Sequence, residues 1–210
     1  MTNINHHIPA DLIDAYRAGT VPHALGVVVA THLSLCDDCR TRLEADDMVG
    51  GALLSCTEVA PLDHGARDRM MAALDGPPPA PPMRGSDVFP APVMQELGGK
   101  PPRWRMLGGG IRQQILHSDK DGSLRLLYIP QGKAVPEHGH RGLELTLVLQ
   151  GSFSDSAGAF HRGDVEVAHA EINHQPVASP GKACICLAAT DAPLRFRAIV
   201  PRLLQPMFRI

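Results

Sequence analysis

No apolar stretch in the 210 residues reaches the roughly 18 positions that a membrane-spanning helix requires. Nor is there an excess of basic charge. Twenty Lys/Arg against 22 Asp/Glu leave a net −2, which removes the electrostatic footprint of a nucleic-acid binder. The N-terminal residues, MTNINHHIPADLIDAY, have no basic stretch followed by an apolar one, so no secretory signal is visible and a cytoplasmic location is expected. Aromatic residues are scarce, at 4%. Trp104 and Tyr128 read as core or domain-contact residues, not as a stacking platform. Cysteine is sparse too. In a reducing compartment, five cysteines argue for metal or redox chemistry over structural disulfides. What the chain does have is 44% hydrophobic residues, enough for a globular core and too many for wholesale disorder.

Proline is unevenly placed. Nine of the 19 prolines lie between Gly76 and Pro102. Proline removes a backbone donor and fixes φ, so residues 76–102 are expected to form an extended, semi-rigid linker between two domains. The flanks differ in charge. Residues 1–75 hold five Lys/Arg against eleven Asp/Glu, a net −6, and residues 76–210 hold fifteen against eleven, a net +4. An acidic first domain repels nucleic acid and suits a basic protein partner.

The first 75 residues read as helical. Leu12, Ile13 and Tyr16 share one helical face after Pro9, and Gly19 with Pro22 ends that helix. HALGVVVATHLSLC is apolar on nearly every side, which predicts burial in a core or against a partner. A helix-permissive stretch runs from Cys39 to about Leu54. A short helix near 63–75 places Met70, Met71 and Leu74 on one side. A domain this small benefits from a metal staple. His32, Cys36 and Cys39 stand as His-x3-Cys-x2-Cys, with spacings that keep the side chains on one face of a helix or its terminal turn. Two thiolates and imidazole suit tetrahedral Zn²⁺. His7 is favoured as fourth ligand, with His6 the alternative. Cys56 reads as ordinary packing.

A short helical domain carrying His7, His32, Cys36 and Cys39 resembles the zinc-binding anti-sigma factors, and within them the ChrR-type subgroup, which appends a cupin domain. The resemblance implies an extracytoplasmic-function sigma factor as partner, in a 1:1 heterodimer, with no direct contact to nucleic acid or membrane. It implies a stress signal of the singlet-oxygen or organic-peroxide type, received by the cupin.

From Trp104 the period changes to short strands separated by Gly, Pro and Asp turns, the pattern of an all-β barrel or jelly roll. The fold class expected is therefore a small helical zinc-stapled bundle (1–75), the linker (76–102), and a cupin barrel (103–210). Gly132 to Gly151 matches the first cupin motif, G-x5-H-x-H-x3-E-x6-G, which nominates His138, His140 and Glu144. The second motif is partial. Gly163 precedes His174 at the family spacing, but the usual final Asn position holds Ala178. Three imidazoles and a carboxylate accept Zn²⁺, Mn²⁺, Fe²⁺ or Ni²⁺, and the resemblance favours zinc. Cys184 and Cys186 alternate on one strand face and form a candidate redox pair. The tail PRLLQPMFRI is expected to return to the barrel as a covering strand.

Three functions remain in view. A regulator would grip a sigma factor with the helical domain, using the Met70, Met71 and Leu74 face and part of the apolar second helix. A cupin enzyme, a dioxygenase, isomerase or hydrolase, would need a metal with open positions. A DNA-binding zinc domain lacks a basic recognition helix.

Overall fold

A computed structural model describes residues 3–78, 81–139, 142–169, 173–192 and 195–196. Among them are five helices: α1 (Ala10–Arg17), α2 (His23–Leu33), α3 (Asp37–Ser55), α4 (Ala66–Leu74) and α5 (Ala91–Glu96). The strands are β1 (Arg105–Gly108), β2 (Ile111–Asp119), β3 (Gly122–Ile129), β4 (His138–Gly139), β5 (Glu144–Gln150), β6 (Ser152–Ser154), β7 (Ala159–His161), β8 (Val165–Ala168), β9 (Asn173–His174), β10 (Val177–Ala178), β11 (Cys184–Thr190) and β12 (Arg195–Phe196). Helices come first and a cupin-like β region follows, as the change in period requires. No helix among the described residues is long and apolar enough to cross a membrane.

The strands pair antiparallel into a six-stranded sheet, β1-β2-β3-β11-β5-β8, and two three-stranded sheets, β10-β6-β7 and β12-β4-β9. The large sheet is covered on both faces. Val148, Cys184 and Cys186 face Ile129, Phe153, Phe160 and Ala178 in the barrel interior. Leu124, Leu126, Leu145, Leu147 and Leu187 face the other way and share one core with Ile8, Ile13, Leu25, Val28 and Val29. Burial on both sides explains why β11 reads as a nearly continuous apolar run, and why β5 is buried along almost all its length although Glu144 and Thr146 alternate with its leucines.

The covering layer on the outer face is α2. Its apolar circumference finds a structural partner inside the chain, in β3, β5, β11 and α5. The expectation that part of α2 meets a sigma factor is corrected accordingly. Those side chains are already out of water.

Within the stretch 76–102, residues 87–97 are built into the fold instead of spanning it as an extended linker. Pro90 caps α5 and a second proline sits in its first turn, where the missing donor costs nothing. Val93 is fully buried, and it packs with Leu97 in the shared core. Arg162 Nη2 donates to Asp87 O at 2.9 Å, fastening the segment to the barrel. Trp104 and Tyr128 meet edge-on, 5.8 Å between ring centres, at the rim of the same core. Cys56, expected to be packed, is exposed.

Candidate metal centres

His32, Cys36 and Cys39 do not lie on one helix face. His32 closes the last turn of α2, and Cys36 caps α3 with an extended backbone, φ −107° and ψ 109°. Cys39 follows in the first turn of α3. Its N–H points to Cys36 Sγ at 3.5 Å, and Asp37 and Asp38 suit the positive end of that helix. The motif is thus a helix–turn–helix junction that turns three donors toward one point.

The fourth donor comes from the N-terminal segment ahead of α1. The chain bends at His6, and the two histidines part: His6 packs at a tilt on Phe160, 4.4 Å between ring centres. His7 turns to the thiols, with Nδ1 3.3 Å from Cys36 Sγ and 3.5 Å from Cys39 Sγ. His32 Nε2 lies 3.3 Å from Cys39 Sγ. All four donor atoms fall within 4.8 Å of one another.

The donor set fits a tetrahedral cation. With metal–sulfur bonds of about 2.3 Å and metal–nitrogen bonds of about 2.0 Å, the N···S edges of such a site measure about 3.5 Å. The observed separations match those edges. His32, Cys36 and Cys39 are buried, and burial pushes the His32 imidazole down to about 4, so it is neutral and able to coordinate. His32 Nδ1 meets Gly163 O at 2.9 Å, the arrangement by which a ligating histidine is usually oriented. Burial and the neighbouring Cys36 raise Cys39 to about 11. Without a cation this thiol stays protonated, and a metal must displace its proton.

A second cluster lies in the barrel. His174 Nδ1 contacts Asp155 Oδ2 at 2.9 Å and Glu166 Oε1 at 2.7 Å. These three residues also place donor atoms within 4.8 Å of one another. Burial lifts the Glu166 carboxyl to about 7. Burial opposes protonation of His174, but Glu166, with help from Glu144 and Asp155, raises it to about 9. Glu144 opens β5, buried, and accepts a bond from Thr146 Oγ1 at 3.1 Å.

Of the four barrel ligands expected from the motifs, Glu144 and His174 are therefore inside the barrel. His138 is the cross-strand partner of His174 in the β4–β9 ladder. His140 lies outside the described residues, as does the tail 201–210. Asp155 and Glu166 were missed. Glu166 carried a signal: in Asp-Val-Glu-Val-Ala it alternates with two valines, one buried and one partly buried, and pairs with Thr146, a charged residue on an inward position. Asp155 sits outside any named strand and carried none.

Cys184 and Cys186 do share a face, with their sulfurs 3.4 Å apart. Their surroundings are apolar. The bond to Cys184 and complete burial push Cys186 well above its ordinary value, which disfavours the thiolate that oxidants attack.

Comparison with known proteins places both halves. Residues 100–193 match the ChrR cupin-like domain family. The whole chain is 53% identical over 211 residues to the anti-sigma-E factor ChrR of Cereibacter sphaeroides, covering 99% of each. It superposes on a chain from the crystal structure of Rhodobacter sphaeroides SigE in complex with the anti-sigma ChrR. There the identity is 50% and the TM-score 0.80, over 90% of this chain and 100% of that one. An RmlC-like cupin protein from Ralstonia eutropha matches 47% of this chain and 68% of its own at 20% identity, with a TM-score of 0.43. The likeness to the first two runs through helices, junction and barrel alike, and the chain belongs to the ChrR family of anti-sigma factors.

Proposed function

We propose that this chain is an anti-sigma factor that holds an extracytoplasmic-function sigma factor in a 1:1 complex in the cytoplasm. It is a regulator and not an enzyme. The observation that carries this reading is the extent of the match: 99% of the chain aligns with an anti-sigma-E factor ChrR, and 90% of it superposes on a chain from the complex of SigE with the anti-sigma ChrR. The exposed apolar residues supply a surface for the purpose. Met70, Met71 and Leu74 on α4 are 66%, 54% and 76% exposed, and Met48, Leu53 and Leu54 along the second half of α3 are open to water as well. A soluble chain seldom leaves so many large apolar groups wet without a partner to cover them, and methionines adapt to the surface they meet. The acidic charge of residues 1–75 favours a basic one.

His7, His32, Cys36 and Cys39 hold Zn²⁺ in this reading. The cation ties the N-terminal segment to the α2–α3 junction and so fixes the direction in which α3 leaves the core. In the barrel, Glu144 and His174, with His138 and His140, hold a second divalent cation, zinc by family likeness. Asp155 and Glu166 stand behind His174 and fix its ring. The barrel receives an oxidative signal of the singlet-oxygen type and loosens the grip.

The test is titration of the metal-loaded full-length chain with a purified extracytoplasmic-function sigma factor. The expected result is a 1:1 complex. Leu74→Glu and Leu53→Glu are each expected to weaken it at least about tenfold, the scale of a central interface contact, with metal content and circular dichroism unchanged. A fully metal-loaded chain that ignores such sigma factors defeats the proposal.

A further inference from the structure

The N-terminal metal cluster does not end at its four donors. The barrel turn between β7 and β8 touches it in three ways. The carbonyl of Gly163 meets His32 Nδ1 at 2.9 Å. The carboxylate of Asp164 accepts the backbone N–H groups of Asn5 at 2.7 Å and His6 at 3.0 Å, while its other oxygen accepts His161 N–H at 2.8 Å. Val165 N–H in turn donates to His6 O at 3.1 Å. The N-terminal segment is thereby held at Asn5 and His6 against the start of β8, and the next residue, His7, reaches the thiols.

Nothing in this arrangement is accidental packing. The Asp164 side chain is fully buried. Burial alone would neutralise it, yet the three N–H groups hold its carboxyl below the usual range, so it stays ionised. Three charge-assisted bonds are stronger than neutral ones and fix direction. Gly163 has φ +96°, and a Cβ there would meet Ile4 Cδ1 at 2.5 Å. The turn needs glycine so that its carbonyl reaches His32 while Ile4 closes over it.

We infer that Gly163 and Asp164, residues of the barrel, are positioning residues of the N-terminal metal centre: they fix His32 for coordination through Nε2 and seat the segment that carries His7. This rests on the reading that the cluster holds a metal. It also makes the two halves one device. Asp164 immediately precedes β8 and Glu166 lies on it, two residues further on, with the N-terminal segment held at one and His174 at the other. A change that moves β8 from inside the barrel displaces the support of His7 and His32 together.

The experiment uses the full-length chain loaded with cobalt(II), whose thiolate charge-transfer absorption reports both cysteine ligands. The rate of cobalt loss to excess chelator is compared between wild type, Asp164→Ala and Asp164→Asn. Both substitutions are expected to speed the loss by about tenfold or more, the usual effect of removing the group that orients a ligating histidine or its segment. An unchanged rate in a chain whose barrel melts normally overturns the inference. A wild-type chain with no thiolate–cobalt absorption overturns the metal reading itself, and this inference with it. If neither variant folds, nitrogen NMR of histidines in the zinc-loaded wild type decides. Expected is a slowly exchanging proton on His32 Nδ1, scalar-coupled to the Gly163 carbonyl, with Nε2 shifted by the metal. Metal on His32 Nδ1 overturns it.

Discussion

The helical cluster gathers four donors and no carboxylate, whereas the barrel cluster gathers two carboxylates around one imidazole. In the first, two thiols and two imidazoles crowd within bonding range of a common centre, with no internal opposite charge among them. Without a cation these groups are neutral and share only sulfur–nitrogen contacts; one cation would bind all four at once. In the second, a protonated His174 already sits between Asp155 and Glu166, so the charges compensate one another before any metal arrives. The difference bears on where folding would depend on metal: the helical half is expected to need it to be built, and the barrel far less.

The sharpest way to break that contrast is to take the metal away. Structural zinc contributes about 10–16 kcal/mol in small domains that fold only around it. Chelation, or Cys36→Ser combined with Cys39→Ser, is therefore expected to release the N-terminal segment and α3 and to abolish sigma-factor binding. The β circular dichroism of the barrel should persist. Helical signal that survives metal removal intact would show that the packing of α2 on the sheet suffices, and the contrast would fail.

A smaller effect is expected from the other side. His174→Ala leaves Glu166 and Asp155 buried without their counter-charge, which typically costs about 3–5 kcal/mol. Denaturant unfolding of the metal-free chain measures it. Adding Glu166→Gln to that variant removes one stranded charge and should recover part of the loss. If His174→Ala is silent, the triad is not the internal ion pair that its distances describe.

How much of this was readable in advance depends on whether a signal was local. The His-x3-Cys-x2-Cys spacing and the first cupin motif are both local. The first names three side chains that the fold brings together, and of the second Glu144 is buried at the start of β5 while His140 lies outside the described residues. The choice of His7 over His6 needed the path of the N-terminal segment, which its bonds to Asp164 and Val165 fix. That α2 would be buried followed from its composition. What buries it is a set of strands that begins only at Gly122, far along the chain, and no periodicity carries that information. The prolines of 76–102 misled because their effect depends on position. Pro90 as a cap starts α5, where inside a helix the same residue would break it. Asp155 was invisible because it reaches His174 from outside any strand pattern.

The finest contrast lies in how the metal-free halves respond to pH. His32 has its proton affinity lowered by burial, from 6.5 to about 4. Between those values the unfolded chain binds a proton that the folded chain refuses, so stability must rise with pH across that window. At 1.36 kcal/mol per pKa unit the helical half loses on the order of 3 kcal/mol as pH falls through it. The barrel pair runs the opposite way. Glu166 is raised from 4.5 to about 7 and His174 from 6.5 to about 9. Over both intervals the folded state holds the extra proton, so the barrel loses stability as pH climbs. The contribution of His174 is complete below about 6.5 and gone above about 9. Thermal melts of the metal-free chain from pH 4.5 to 9, followed by helical and β circular dichroism separately, are expected to give slopes of opposite sign. Parallel slopes would mean that α2 and the sheet it covers unfold as one unit, with the shared core outweighing the separate electrostatics of the two clusters.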